Sequence, residues 1–391
     1  MPINIGILKK LSTMKRVHIT LIGGQLPPVY IGICATNPDK IIYIYSTTSK
    51  KQKDVIQNEL NIDSESVKFE ETAPKYIFNA VNELADKYKD DEVTINISSG
   101  LKSWAYFFSV VFYNKPNASI IYIDQNNIIW DYKTMTGSQN FSFDMYMHFK
   151  LYGNPLNDNN YIKFSDYTSK DKEIASKIDE IRKYNHNDFN ELLSVLDKKN
   201  KNILKANKSG RFDLPSGSFV EWNKGDSDNE PSVKISLIKK QKQIDYLLSS
   251  PHVIELAFNS GWFEYCIAEI LSKWSKCKEL ILNCVFPFKH DVSKNEVDII
   301  VNTGTKILFV ECKTQINNIT DIDKFASVIK NYGGTGSKGI FITDAKMSDS
   351  AKQKCNEHNI LTFSLQDENM GMTHEKALSI KLDSELFNIN M

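Results

Sequence analysis

Over the first third of the chain, short β-branched runs alternate with amphipathic stretches. Lys15 to Ile22 has the pattern of a strand and runs into Gly23-Gly24-Gln25. Pro27 and Pro28 suit the first turn of a helix continuing toward Asn37, because a proline there gives up an amide that has no helical partner anyway. The alternation continues with strands at 41–45, 66–69, 93–97, 119–123 and 128–132 and helices at 50–60, 74–88 and 104–113. Strands separated by helices predict a mostly parallel, doubly wound sheet. In such a sheet, ligands lie beyond the carboxyl ends of the strands, where strand order reverses. Three loops falling at those ends are small, polar and rich in hydroxyls: 23–25, 46–49 and 98–102. They do not form a Rossmann G-x-G-x-x-G, nor a P-loop, since the spacing before Lys102-Ser103 is wrong for one.

After about residue 135 the chain becomes polar and rich in Asn, Asp and Lys. Asp171 to Tyr184 and Asn187 to Lys199 have helical patterns, while Ser218 to Trp222 and Val233 to Lys239 have strand patterns. Two helices with a hairpin predict a small helical, winged-helix-like middle region over 136–245. From 246 onward the order is α-β-β-β-α-β-α-β. Its elements are a helix at 262–274, strands at 280–286, 296–301 and 306–313, and a helix at 320–332. A strand at 339–343, a helix at 348–358 and a strand at 360–363 complete the series. Three segments are therefore expected: 1–135, 136–245 and 246–391.

Bulk properties sharpen this picture in a few places. At 391 residues the chain is too long for one typical core. Lys+Arg equals Asp+Glu at 48 each, so a nucleic-acid surface must be local. The cluster Lys198, Lys199, Lys201, Lys205, Lys208 and Arg211 is one candidate, with a solvated face as its ordinary explanation. No apolar run approaches the roughly 18 residues of a membrane span, and MPINIGILKK lacks the apolar core of a signal peptide. Met14 is an alternative start, since it opens directly into the first strand. The six cysteines are scattered, as reduced thiols in a cytoplasmic protein would be. The seven histidines have no ligand spacing.

The candidate chemistry lies on the hairpin from Asp298 to Lys313. Its strands flank Asn302-Thr303-Gly304-Thr305, which supplies turn residues. With Gly304 and Thr305 as the loop, pairing runs 302 with 307, 300 with 309 and 298 with 311. Side chains alternate along a strand, so Asp298, Glu311 and Lys313 share a face and Cys312 points away. Mg²⁺ or Mn²⁺ is usually held by one or two carboxylates plus water and substrate phosphate. A lysine beside it can orient the attacking water or stabilise negative charge. An ordinary strand end with solvated charges is the alternative, but Ile307 to Val310 has the pattern of a strand buried on both faces, where charge is costly unless paired. Glu264 adds a further carboxylate. Ile267, Ala268 and Leu271 follow it at helical spacing on one apolar stripe, although it can equally mark a stripe edge in solvent.

Two resemblances give these residues roles. Asn96-Ile97-Ser98-Ser99-Gly100-Leu101-Lys102 resembles the N-x-[ST]-x-G-x-K motif of CRISPR-associated Rossmann fold (CARF) domains. The resemblance covers about residues 1–135. It implies a homodimer with a cyclic oligoadenylate, most simply cyclic tetra-adenylate, across the two-fold axis. Lys102 and the amides of Ser98, Ser99 and Gly100 would hold its phosphates, and Gly24, Gln25, Thr47 and Thr48 would line base and ribose. Asp298 and Glu311-Cys312-Lys313 resemble the signature of PD-(D/E)XK restriction-endonuclease-like nucleases. Gly261-Trp262-Phe263-Glu264, Glu296-Val297-Asp298 and Tyr332-Gly333-Gly334 extend the likeness to nucleases fused to CARF domains. The likeness implies catalytic Glu264, Asp298, Glu311 and Lys313, with Asp298, Glu311 and Glu264 around Mn²⁺ or Mg²⁺. Glu296, with the parity of Asp298, is a weaker candidate ligand.

The expected function is a cyclic oligoadenylate-activated nuclease of a type III CRISPR response. Its substrate would be single-stranded DNA or RNA, or duplex DNA, and no membrane partner is expected. A constitutive restriction or repair-type DNA endonuclease and a non-catalytic CARF sensor that binds DNA are the alternatives.

Overall fold

The structure, a computed structural model, describes residues 14–70, 73–138, 141–157, 160–198, 203–286, 295–316, 318–334, 336–367 and 371–389. The chain forms two compact units. The first runs to Leu156 and takes in Gly304–Lys306 and Tyr332–Gly336; the second holds Asn157–Thr303, Ile307–Asn331 and the chain from Ser337. The middle region expected at 136–245 is thus divided between them. Met1 lies outside the described residues.

In the first unit the elements are β1 (Arg16–Leu21), α1 (Pro27–Thr36), β2 (Lys40–Tyr45), α2 (Lys50–Glu59), β3 (Ser64–Lys68), α3 (Pro74–Lys87), β4 (Glu92–Asn96), α4 (Lys102–Tyr113), β5 (Ala118–Ile123), β6 (Ile129–Asp131), β7 (Thr136–Gly137) and α5 (Met145–Leu151). The sheet order is β3-β2-β1-β4-β5-β6-β7, parallel as far as β5. Strand order reverses between β1 and β4, so the loops after these two strands flank the switch point. The central strands are buried, β2 with apolar side chains on both faces, and β1 and β4 with apolar side chains on one face and His18, Thr20, Thr94 and Asn96 on the other. Val17, Ile19 and Leu21 pack with α3 and α4, while Ile41 and Tyr43 pack with α1.

His18 is fully buried on β1, with Nδ1 2.8 Å from the Thr36 hydroxyl and Nε2 without a partner. Burial pulls its pKa down to about 3. The folded chain therefore keeps this ring neutral where the unfolded chain protonates it. Stability is complete above about pH 6.5 and falls as pH drops toward 3, by about 1.4 kcal/mol per pH unit. The loss in denaturation midpoint from pH 7 to pH 5 is expected to be smaller in His18→Val than in wild type; equal losses would contradict the assignment.

The second unit begins with β8 (Ile162–Lys163), α6 (Ser169–Tyr184), α7 (His186–Lys198), α8 (Ile203–Ala206), β9 (Ser209–Asp213), β10 (Phe219–Asn223), β11 (Ser232–Lys239) and β12 (Lys242–Ser249). The expected hairpin is the inner pair of a four-stranded antiparallel sheet, β12-β11-β10-β9. Its outer strands carry exposed charges and alternate weakly, as edge strands that avoid further pairing do. Lys208 pairs with Asp226, and Arg211 with Asp213 and Glu221, so these members of the basic cluster already have acidic partners. Lys199 and Lys201 lie outside the described residues.

The chain continues with α9 (Val253–Ala257), α10 (Gly261–Ser272), β13 (Glu279–Phe286), β14 (Asn295–Asn302), β15 (Ile307–Lys313), α11 (Thr320–Val328), β16 (Lys338–Thr343), α12 (Asp349–Glu357), β17 (Ile360–Ser364) and α13 (His374–Phe387). Their sheet order is β17-β16-β15-β14-β13-β8. One apolar core joins α6, the four-stranded sheet, α10 and one face of this larger sheet, through residues such as Ile178, Trp222, Ile267 and Val310. The connecting segment and the C-terminal sheet therefore fold around shared side chains.

Candidate active site

The hairpin register is the one the sequence predicts as far as it runs: Asn302 pairs with Ile307, Ile300 with Phe309 and Ile299 with Val310. Asp298 then leaves the backbone ladder. Its carboxylate accepts a hydrogen bond from the Cys312 amide at 2.7 Å. On its other side, β13 pairs through Leu282–Ile299 and Cys284–Val297 but not at Asn283, whose backbone is left-handed. The strands thus loosen where Asp298 sits, and its side chain takes an amide the ladder leaves free.

Asp298, Glu311 and Lys313 come together there. The Lys313 ammonium lies 2.7 Å from Glu311 Oε1 and 3.5 Å from Asp298 Oδ2. Glu264 is buried on α10 at 9 % exposure, and its apolar stripe of Ile267, Ala268 and Leu271 is buried with it. Burial first, and then the charge of Asp298, raise its pKa well above the usual carboxylate range. Burial and Asp298 likewise push Glu311 up to about 8. Burial pulls on Lys313 in the opposite sense, but Asp298 and Glu311 outweigh it and the net shift is upward. Lys313 is therefore an ammonium throughout the neutral range.

Two carboxylates raised by burial and mutual repulsion form a site short of positive charge. Hard oxygen donors of this kind suit Mg²⁺ or Mn²⁺, which commonly take one or two protein carboxylates and complete their shell with water and phosphate. Among the described residues no group of three or more His, Cys, Asp or Glu is arranged to hold one metal ion. The fit therefore rests on Asp298 and Glu311, with the buried Glu264 carboxyl close enough to feel the charge of Asp298. Glu296 is exposed and pairs along β13 with Val285.

In the first unit the loops after β1 and β4 touch. A Cβ on Gly23 would stand 2.6 Å from the Gly100 amide nitrogen, and Gly100 itself has φ +80°. These two glycines let the loops close on each other. Asn96, fully buried, ties the arrangement together. Its amide donates to the Pro28 carbonyl at 3.1 Å, and its Oδ1 accepts from the Ser98 amide at 3.0 Å and the Ser98 hydroxyl at 2.6 Å. The Ser98 hydroxyl also accepts from the Ile123 amide. This corrects one expectation. The Ser98 amide and hydroxyl are spent on the loop's own support. Asn96 and Gly23 were visible only as motif neighbours, and their roles depend on contacts distant in sequence.

The other expected cradle residues line up around the same strand ends. Gly24 and Gln25 are exposed after β1, and Lys102 is exposed at the first position of α4. Thr47 and Thr48 are exposed after β2. The Thr47 hydroxyl donates to Glu70, and the Thr48 and Ser46 hydroxyls lie 2.8 Å apart. All six cysteines are free thiols, and among the described residues no helix is long and apolar enough to cross a membrane.

Comparison with known proteins bears on both units. The family model for the Card1 CARF domain matches residues 17–152, and that for a restriction endonuclease catalytic domain matches residues 262–367. No curated protein matches by sequence. Among solved structures, Can2 from Sulfobacillus thermosulfidooxidans in complex with cyclic tetra-adenylate superposes with a TM-score of 0.65 at 17% identity, covering 95% of this chain and 99% of that one. Protein VC1899 from Vibrio cholerae gives a TM-score of 0.66 at 15% identity, covering 89% and 94%. A type III CRISPR defence DNA nuclease activated by cyclic oligoadenylate gives 0.55 at 14% identity, covering 93% of this chain and 51% of that one. At these identities the likeness is one of fold.

Proposed function

We propose that this chain, in which a CARF domain precedes a restriction-endonuclease-like domain, is a nuclease switched on by a cyclic oligoadenylate in type III CRISPR defence. The observation that carries the proposal is the meeting of Asp298, Glu311 and Lys313 at one point on the β14–β15 hairpin. The polar cradle at the switch point of the first sheet supports a sensing role, and cyclic tetra-adenylate is the ligand in the solved Can2 complex.

A bound Mg²⁺ or Mn²⁺ would supply Lewis acidity and an activated water. Asp298 and Glu311 would hold it, and Glu264 would orient the site from α10. Asp298 is itself fixed by the Cys312 amide, so its carboxylate meets a substrate already aimed. Lys313, kept charged by its neighbours, donates N–H toward water or a phosphate oxygen and offsets negative charge as the phosphodiester is attacked. DNA and RNA both offer the phosphodiester this constellation would cut.

In the cradle, Gly24, Gln25, Thr47 and Thr48 would meet base and ribose. The amides of Ser99 and Gly100 and the Lys102 ammonium would meet phosphate. Lys102→Glu is expected to weaken activator binding by about tenfold or more, since it reverses a charge-assisted contact. An acidic residue at a helix start favours the helix, so the loss would not reflect unfolding. An unaltered activator response would contradict the phosphate role.

A homodimer is supported by α3 and α4, which expose the apolar side chains Tyr76, Phe78, Val110, Tyr113 and the 63 % exposed Tyr106. Phe107 packs edge-on against Phe78 and Tyr106. Contiguous exposed apolar surface marks partner sites. Tyr106→Glu is expected to shift the chain toward monomer in light scattering; an unchanged dimer mass would place the interface elsewhere.

The deciding experiment is a cutting panel: labelled RNA and DNA, single- and double-stranded, with Mg²⁺ or Mn²⁺, with and without cyclic tetra-adenylate. Cutting that needs both metal and activator supports the proposal. Metal-dependent cutting without activator favours a constitutive endonuclease, and binding without cutting favours a non-catalytic sensor.

A further inference from the structure

Arg182 stands outside every motif singled out in the sequence. It lies on α6, and its side chain, 14 % exposed, reaches three groups. Nη2 donates to Asp344 Oδ2 at 2.8 Å, and Nε donates to Asp179 Oδ1 at 2.6 Å on the same helix. The guanidinium carbon lies 4.5 Å from the centre of the Trp262 ring, within cation–π range.

Two of those partners lead to the candidate active site. Trp262 is buried in the first turn of α10, on the helix that carries Glu264. Asp344 follows β16, and its amide donates to the Lys313 carbonyl at 3.2 Å. The next amide, Ala345, donates to the Thr314 carbonyl at 3.1 Å. Arg182, Asn259, Ser260, Trp262 and Thr314 border one cavity of about 40 Å³. One planar cation thus joins the helix bearing Glu264 to the chain that backs Lys313.

The start of α10 is a place that needs such support. Asn259 and Ser260 both have left-handed backbone, with φ of 55° and 68°. Consecutive non-glycine residues in that region are strained and persist only where surroundings hold them. Gly261 has no room for a side chain, since a Cβ would lie 1.9 Å from the Glu255 carbonyl oxygen.

We propose that Arg182 is a positioning residue for the nuclease chemistry: its bridge between Asp344 and Trp262 fixes Glu264 relative to Lys313. The proposal rests on the function inferred above. A lysine could reach one partner as a point charge but could not span both, because it lacks the planar fork.

The test uses full-length wild type, Arg182→Gln, Arg182→Lys, Asp344→Asn and the Gln/Asn double variant. Cutting is measured with cyclic tetra-adenylate, and Mn²⁺ binding is measured by calorimetry without nucleic acid. Groups that orient metal ligands typically cost about 10–100-fold when removed. Arg182→Gln is therefore expected to lower both kcat and Mn²⁺ affinity by about tenfold or more, with KM for nucleic acid changing less than about twofold. Arg182→Lys recovers part of each loss. Asp344→Asn moves both values the same way, and the double variant is no worse than the worse single, as partners in one interaction behave.

A folded Arg182→Gln chain with wild-type kcat and Mn²⁺ affinity overturns the proposal, as does a lowered melting temperature with metal affinity unmoved. If Arg182→Gln does not fold, wild-type values in Asp344→Asn overturn it. A wild-type chain that neither cuts nor binds Mn²⁺ removes the nuclease function and the bridge together. A wild-type chain that does both, beside Arg182 and Asp344 variants that match it, removes the bridge alone.

Discussion

Replacing Lys313 with alanine is expected to lower the cutting rate on the order of 10³-fold and to leave activator affinity unchanged. Among the described residues, the Lys313 ammonium is the positive group that contacts both strand carboxylates. Without it, charge developing on the attacked phosphate loses its nearest fixed donor. The fold is expected to survive, because the carboxyls at Glu264 and Glu311 are already raised by burial and can take up protons rather than remain as bare buried charges. Activator affinity belongs to the cradle in the first unit, whose residues include neither Lys313 nor its partners. Steady-state cutting alongside a direct binding titration checks both halves. Undiminished cutting would remove Lys313 from the mechanism, and lost activator binding would mean that the variant is misfolded.

The second large effect is expected from Asp298→Asn. Its size barely changes, and the side-chain oxygen of Asn can still accept from the Cys312 amide, so the strand end is preserved. What disappears is the negative charge of Asp298 itself. Groups that merely orient metal ligands cost about 10–100-fold, and a ligand itself should cost more. Mn²⁺ affinity and kcat are therefore both expected to fall by more than about 100-fold, with a melting temperature near that of wild type. A variant that binds Mn²⁺ normally would assign Asp298 a structural task, bracing the Cys312 amide, and nothing further.

These expectations were legible in the sequence because a hairpin turns spacing into geometry. Given the turn at Asn302–Thr305, the alternation of strand side chains puts residues 298, 311 and 313 on one face, and they do meet. Glu264 was legible from its apolar stripe, whose members are all buried. The parallel order of the first sheet followed from strands separated by helices. What escaped depended on partners distant in sequence. The strands Ser209–Asp213 and Lys242–Ser249 are sheet edges whose exposed charges hide the alternation. The Asn96 side chain that occupies the Ser98 amide two residues on is itself held by the Pro28 carbonyl, 68 residues away. The break in the ladder at Asp298 depends on Asn283 of a third strand. Arg182 gave no local signal, because both Trp262 and Asp344 reach it only through the fold.

The most direct test of the central claim is an anomalous-scattering map from crystals of the full-length chain grown with Mn²⁺. One strong peak is expected within coordination distance of both Asp298 and Glu311, with the Lys313 ammonium displaced beside it. A peak at other residues, or none near this pair in a protein that cuts in the same Mn²⁺ solution, would contradict it.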